Sequence, residues 1–109
     1  MSLGAELDKL ALVVAARVGG DPSSSYTAQL LAAGPARCAK KFGEEAVETI
    51  IAATQGDRTA IAAEAADALY HLIVLLQAAG VGPDEVATIL AKRSGTSGLQ
   101  EKASRSSEA

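Results

Sequence analysis

The sequence predicts an all-α protein: a bundle of about five helices, with a central antiparallel pair and a four-helix-type core completed by dimerisation. Three observations predict it. Apolar residues recur at helical spacing, and nothing alternates at period two for long enough to suggest a sheet. Hydrophobic residues make up 49% of the chain, yet aromatics supply 3% and Trp none. Alanine fills the difference, and it is the best helix former and lets helices approach closely. Glycine pairs with Pro or Asp between the periodic stretches, where helices stop and start.

The elements follow in order. Leu7, Leu10, Ala11, Val14 and Val18 repeat at helical spacing over residues 4–18, and Gly19-Gly20-Asp21-Pro22 ends that helix. No role falls to residues 1–3. Ser23 to Ser25 form a polar loop, and Ser25 is placed to cap a short helix over 26–33. Gly34-Pro35 breaks it, and a third helix spans 36–55. Gly56-Asp57 closes the third helix and caps the fourth, over 58–79, with Gly80 as its stop. Gly82-Pro83-Asp84-Glu85 opens a fifth, with Pro in the first turn and acids beside the positive end of the dipole. It fades near Arg93. The expected layout is one all-α domain over 1–93 and a polar tail over 94–109. A core of small residues in a 109-residue chain buries little area, which favours a second subunit as further burial.

The net charge is −3, and no basic stripe points to nucleic acid as a partner. Cys38 is the sole cysteine, so no intrachain disulfide forms, which suits a reducing cytosol. The apolar run over 10–16 follows Glu6 and Asp8, where a secretion signal needs positive charge, and it is too short to cross a membrane.

The chemistry lies on helices three and four. At about 100° per residue, Arg37, Lys41, Glu44, Glu45 and Glu48 share an arc of about 100°. Phe42, Ala46, Ile50 and Ala53 lie opposite and form the expected core face. A charged arc is ordinarily a solvated face. However, Glu44 and Glu48 are like charges at i,i+4, and Lys41 precedes Glu45, the less favourable order for a helical ion pair. On helix four, Glu64, Asp67 and His71 share an arc of about 60°, with Ile61, Ala65, Leu69, Leu72 and Leu76 on the other side. From Leu72 to Leu76 this helix is apolar all round, and is therefore expected to be buried all round. Buried carboxylates need a partner, and no Lys or Arg shares their arc.

The turn at Gly56-Asp57 makes the two helices antiparallel. Glu48 sits about eight residues before it and Glu64 about seven after, so the two are level, as are Glu45 and Asp67. The expected product is a box of four carboxylates. An all-oxygen set selects a hard cation, Mg²⁺ first and Mn²⁺ second, which takes phosphate oxygens as further ligands. Lys41, Arg37 and Lys40 lie one turn away, where they could hold a polyphosphate.

The string Glu44-Glu45-x-x-Glu48 followed by Glu64-x-x-Asp67 resembles the signature of the MazG-like all-α NTP pyrophosphatases. The wider strings are more specific. Ser25-Tyr26-Thr27 with Leu30-Leu31 and Gly34, then Lys41-Phe42-Gly43-Glu44-Glu45-Ala46-x-Glu48-Thr49, resemble the phosphoribosyl-ATP pyrophosphohydrolase family. So do Glu64-Ala65-Ala66-Asp67-Ala68-Leu69-Tyr70-His71-Leu72 and the tail string Ser97-Gly98-Leu99-x-Glu101-Lys102-Ala103. The likeness covers the chain from Ser25 onward. It departs from the family at Cys38, usually aliphatic, and at Pro35-Ala36, where a basic residue is common.

The resemblance implies hydrolysis of phosphoribosyl-ATP to phosphoribosyl-AMP and pyrophosphate, the second step of histidine biosynthesis, by a Mg²⁺-dependent cytoplasmic homodimer. It implies a stand-alone form with no cyclohydrolase domain before it. Carried over by position, Glu45, Glu48, Glu64 and Asp67 are metal ligands, and Glu44 and Glu45 are the catalytic candidates. Glu44 is either a further ligand or the group that orients the attacking water. Arg37, Lys40, Lys41, Tyr26 and His71 are candidates for substrate or phosphate contact. Tyr26 equally suits cover for the core, and His71 reads more readily as a hydrogen-bonded core histidine. Tyr70 reads as packing, and Cys38 as a small packed hydrophobe. Two rivals stand beside this expectation. One is a MazG-like house-cleaning enzyme for dCTP, dUTP or a similar nucleotide; the other is a helical dimerisation module without catalysis.

Overall fold

The computed structural model describes residues 1–95 together with 98, 102, 103 and 105. The tail expected over 94–109, with its family-like string at 97–103, lies largely outside these described residues. Over the continuously described residues 1–95, five helices run in order: α1 (Leu3–Ala16), α2 (Tyr26–Ala33), α3 (Pro35–Gln55), α4 (Arg58–Ala78) and α5 (Pro83–Ser94). No strand occurs among the described residues.

Local chemistry accounts for the boundaries. Ser2 caps α1, its Oγ accepting from the Ala5 N–H at 3.1 Å, so residues 1–3 do have a role. α1 ends at Ala16, two residues earlier than the periodicity suggests, and Val18 is exposed. Ser25 caps α2 as expected, accepting from the Ala28 N–H at 3.1 Å. Gly34, at φ 95°, separates α2 from α3, and Pro35 occupies the first turn of α3, where its missing N–H is no loss. Gly56 closes α3 in the left-handed region at φ 73°. Asp57 then caps α4, its Oδ1 accepting from the N–H groups of Thr59 and Ala60 at 3.1 and 3.2 Å. Glu85 reaches back to accept the Gly82 N–H at 2.7 Å and ties down the start of α5.

α3 and α4 form a helical hairpin, and α1 and α2 pack against α4. The innermost cluster takes one residue from each of four helices: Val14, Leu30, Cys38 and Val74. Leu10, Leu31, Tyr70, Ile73, Leu75 and Ala78 pack around it. Cys38 is a packed hydrophobe whose Sγ donates to the Leu30 carbonyl at 3.3 Å. This is a four-helix-type core within one chain.

Two packing expectations need correction. On α3, Phe42 and Ala46 are half-buried, but Ile50 is 61% exposed and Ala53 is exposed too. The inner face is instead the one carrying Cys38, Ala52, Glu45 and Thr49, turned by roughly 80° at 100° per residue. α2 and α4 both meet α3 on that side, and a small face of Cys and Ala admits them more closely than Ile would. On α4, Leu72, Ile73, Leu75 and Leu76 are only half-buried, and the fully buried residues are His71 and Val74. One chain does not supply enough helices to surround α4. Its Leu69–Leu72–Leu76 side borders an apolar groove of about 380 Å³ shared with α1 and α5. By length and composition α4 is apolar enough to cross a membrane, but it carries Glu64, Asp67 and His71 and packs against α1, α2 and α3.

Candidate active site

Turning α3 by that amount brings Glu45 to the inner face and leaves Glu48 at its edge. Carboxylate oxygens of Glu45, Glu64 and Asp67 lie within 4.8 Å of one another. Glu45 and Glu64 are half-buried and Asp67 is exposed. Glu48 is exposed and outside this triplet. Its charge still reaches Glu64, whose carboxyl is held above the ordinary value of 4.5 by partial burial first and then by Asp67, Glu45 and Glu48. Among the described residues, no cation is bonded to any of these four acids. Three acids crowded from two helices, one of them reluctant to ionise, form a donor set that suits a hard divalent cation.

Glu44 has a different setting. Its Oε2 accepts from Lys41 Nζ at 3.1 Å. That hydrogen bond, then the Lys41 charge and more weakly Lys40 and Arg37, hold the Glu44 carboxyl below its usual value. Lys41 is the inward member of the basic group, its side chain only 20% exposed. Its ammonium is held up first of all by the bond to Glu44. Arg37 and Lys40 are exposed on the same helix. The carboxylate arc thus divides into an unpaired triplet and, about a turn away, a Lys41–Glu44 pair backed by two further cations.

A third group flanks both. His71 follows Asp67 by one turn of α4 and is 6% exposed. Its ring stands edge-on to Tyr70, with centroids 4.9 Å apart, and to Tyr26, at 6.3 Å. Its Nδ1 is buried without a hydrogen-bond partner. Burial pushes His71 below its ordinary 6.5 and Lys41 adds to this, while Glu45, Asp67 and Glu44 pull the other way. Tyr70 is more than packing, because its hydroxyl is hydrogen-bonded to Thr27 Oγ1. Thr27 had no individual assignment from sequence; the only signal was its place in the Ser25-Tyr26-Thr27 string.

The site therefore brings together an acidic cluster, a cationic shoulder and an aromatic wall. Comparisons with known proteins identify the family. A family profile described as phosphoribosyl-ATP pyrophosphohydrolase matches residues 7–94. The chain is 60% identical over 99 residues to a phosphoribosyl-ATP pyrophosphatase of Cereibacter sphaeroides, covering 91% of this chain and 96% of that one. Proteins of the same name from Jannaschia sp. and Methylobacterium radiotolerans are 57% and 59% identical, and each alignment again covers 91% of this chain.

Proposed function

Because the chain belongs to the phosphoribosyl-ATP pyrophosphohydrolase family, and is thereby a hydrolase, we propose that it splits phosphoribosyl-ATP at the α–β phosphate bond. The products are phosphoribosyl-AMP and pyrophosphate, and the place of the reaction is histidine biosynthesis. The substrate follows from the relatives' names. The site follows from one observation, the convergence of Glu45, Glu64 and Asp67 within 4.8 Å.

Glu45, Glu64 and Asp67 would hold the metal, with Glu48 joining from the edge, and Mg²⁺ is the cation their oxygens favour, ahead of Mn²⁺. Bound there, the cation would neutralise phosphate oxygens and acidify a water. The protein's own groups do the rest. Lys41, with Arg37 and Lys40 behind it, grips the phosphate chain and offsets charge on the departing pyrophosphate. Tyr26 adds a hydroxyl on the same side. Glu44 and Glu45 stand where a carboxylate can orient the attacking water and accept its proton. Water adds across the anhydride, its oxygen staying on one phosphate.

The domain carrying this chemistry is taken as 1–93, working in the cytoplasm as a homodimer. The apolar groove lined by Leu7, Leu69, Leu72, Leu76, Val86 and Leu90 supports a second copy, because an open apolar face of this kind is costly in water.

Pyrophosphate release from phosphoribosyl-ATP with and without Mg²⁺ is the direct test. Release that requires the cation is the expected result. Cleavage of dCTP or dUTP in its place would favour the house-cleaning reading. Calorimetry showing no cation uptake, with or without nucleotide, would favour a helical module without catalysis.

A further inference from the structure

We propose that His71 is a positioning residue: it acts through Tyr26, holding that phenol where it meets the phosphate chain. The inference deepens the reading above and rests on it.

Three features carry it. The first is access. His71 lies on the same arc of α4 as Glu64 and Asp67, yet it is 6% exposed and its Nδ1 is sealed without a partner. Nδ1 is therefore cut off from water and ligand, and the residue as a whole offers far less surface than its partner. Tyr26, against which the ring stands, is 51% exposed. The open member of the contact is the tyrosine.

The second is the way α2 is held. This helix has eight residues and no charged residue in its first or last turn, too short to hold its own shape without tertiary contacts. Tyr26 and Thr27 begin it, and consecutive Tyr70 and His71 meet them from α4: Tyr70 by its hydroxyl to Thr27, His71 by its ring to Tyr26. One contact would leave α2 free to swivel about its axis. Two contacts from residues about 100° apart on each helix fix both its height and its rotation. The rotation is what decides where the Tyr26 phenol points.

The third is what the phenol points toward. Its ring stands on His71, one turn of α4 beyond Asp67 of the carboxylate triplet, and Lys41 lies within electrostatic range of it. A phenolic O–H and an ammonium are both donors. On the flank of the carboxylate triplet, both suit the oxygens of a polyphosphate.

The test is a double-mutant cycle on phosphoribosyl-ATP with Mg²⁺, using Tyr26→Ala, His71→Ala and the pair. Each single change is expected to raise KM about tenfold, the loss of roughly one charge-assisted contact, with kcat within about threefold. The pair should be no worse than Tyr26→Ala alone. His71→Phe keeps an aromatic edge without a titratable nitrogen, and should restore KM to within about threefold of wild type. Tyr70→Phe removes only the hydroxyl that holds Thr27. It supplies the same comparison if His71→Ala does not fold, with a smaller rise in KM that vanishes in the Tyr26→Ala background.

The chain has two tyrosines and no tryptophan, so quenching of tyrosine emission by iodide reads the brace without any turnover. It should increase in His71→Ala and stay near wild type in His71→Phe. Additive losses in the cycle, a collapse of kcat in His71→Phe, or unchanged quenching in His71→Ala would each overturn the inference. A wild-type chain that releases no pyrophosphate from phosphoribosyl-ATP would instead remove the functional reading beneath it.

Discussion

Glu45 of α3 and Glu64 of α4 bring carboxylate oxygens within 4.8 Å of each other across the helical hairpin, and Asp67 completes the triplet from one turn further along α4. Like charges so close oppose folding unless something neutralises them. Glu64→Gln should therefore stabilise the metal-free protein while removing a proposed metal ligand. The expected outcome is a higher melting temperature in EDTA together with a fall in kcat of at least about a hundredfold, as for loss of other groups that stabilise charge in a transition state. Melting curves and pyrophosphate release check the two halves, and a variant that keeps full activity would contradict the site.

The same crowding sets a pH dependence. Glu64 is raised above 4.5 in the folded chain, so the folded state holds this proton more tightly than the unfolded state. Its stabilising contribution is complete below the unfolded value and is lost as pH rises through the folded one. Metal-free protein thus loses stability at this site on going from acid towards neutrality. A cation needs the ionised carboxylates, so added Mg²⁺ should raise the melting temperature at about pH 8 and do so little at about pH 4.5. The quantity to measure is the difference in melting temperature with and without Mg²⁺ across that range. A difference that does not grow with pH would count against the triplet as the binding site.

Gly56 controls how α4 returns along α3. It sits at φ 73°, and a Cβ placed there would meet nothing within 4 Å. Replacement by alanine therefore has only a backbone cost, about 1–2 kcal/mol for a left-handed L-residue. Urea unfolding of Gly56→Ala should show that loss, and Gly56→Asn should show less, because asparagine tolerates this region better. Equal losses would point to something other than backbone conformation.

Leu90 tests the second copy. It is 61% exposed in the single chain and lines the groove between α1, α4 and α5. Leu90→Lys should leave the helical fold intact and weaken self-association by at least about tenfold, read by sedimentation over a concentration series. A variant that associates as wild type does would move the interface elsewhere.

Much of this protein was legible in its chain because helix ends are decided locally. Ser25, Gly34-Pro35, Gly56-Asp57 and Gly82-Pro83 mark the boundaries through groups within four residues of themselves, and the expected spans for α2, α3 and α4 agree with the structure to within a residue. The turn length also carried the height of Glu45 relative to Asp67, because rise per residue is constant, whereas the partner expected level with Glu64 was Glu48, which lies outside the triplet. The packing face was not legible in the same way. A wheel ranks the sides of α3 by hydrophobicity and puts Ile50 inside, whereas the structure leaves Ile50 exposed and turns Cys38, Ala52 and Glu45 inward.

By itself, then, the sequence determined five helices, the caps of α2 and α4, an acidic pair of helices and a family. Only the tertiary structure decided that Glu45 joins Glu64 and Asp67 while Glu48 stays at the edge, that Glu44 pairs with Lys41, and that His71 is sealed between two tyrosines. The physical reason is rotation. Hydrogen bonds along a helix fix its length and ends, but which of its sides faces inward depends on how closely its neighbours fit, and that depends on residues distant in the chain.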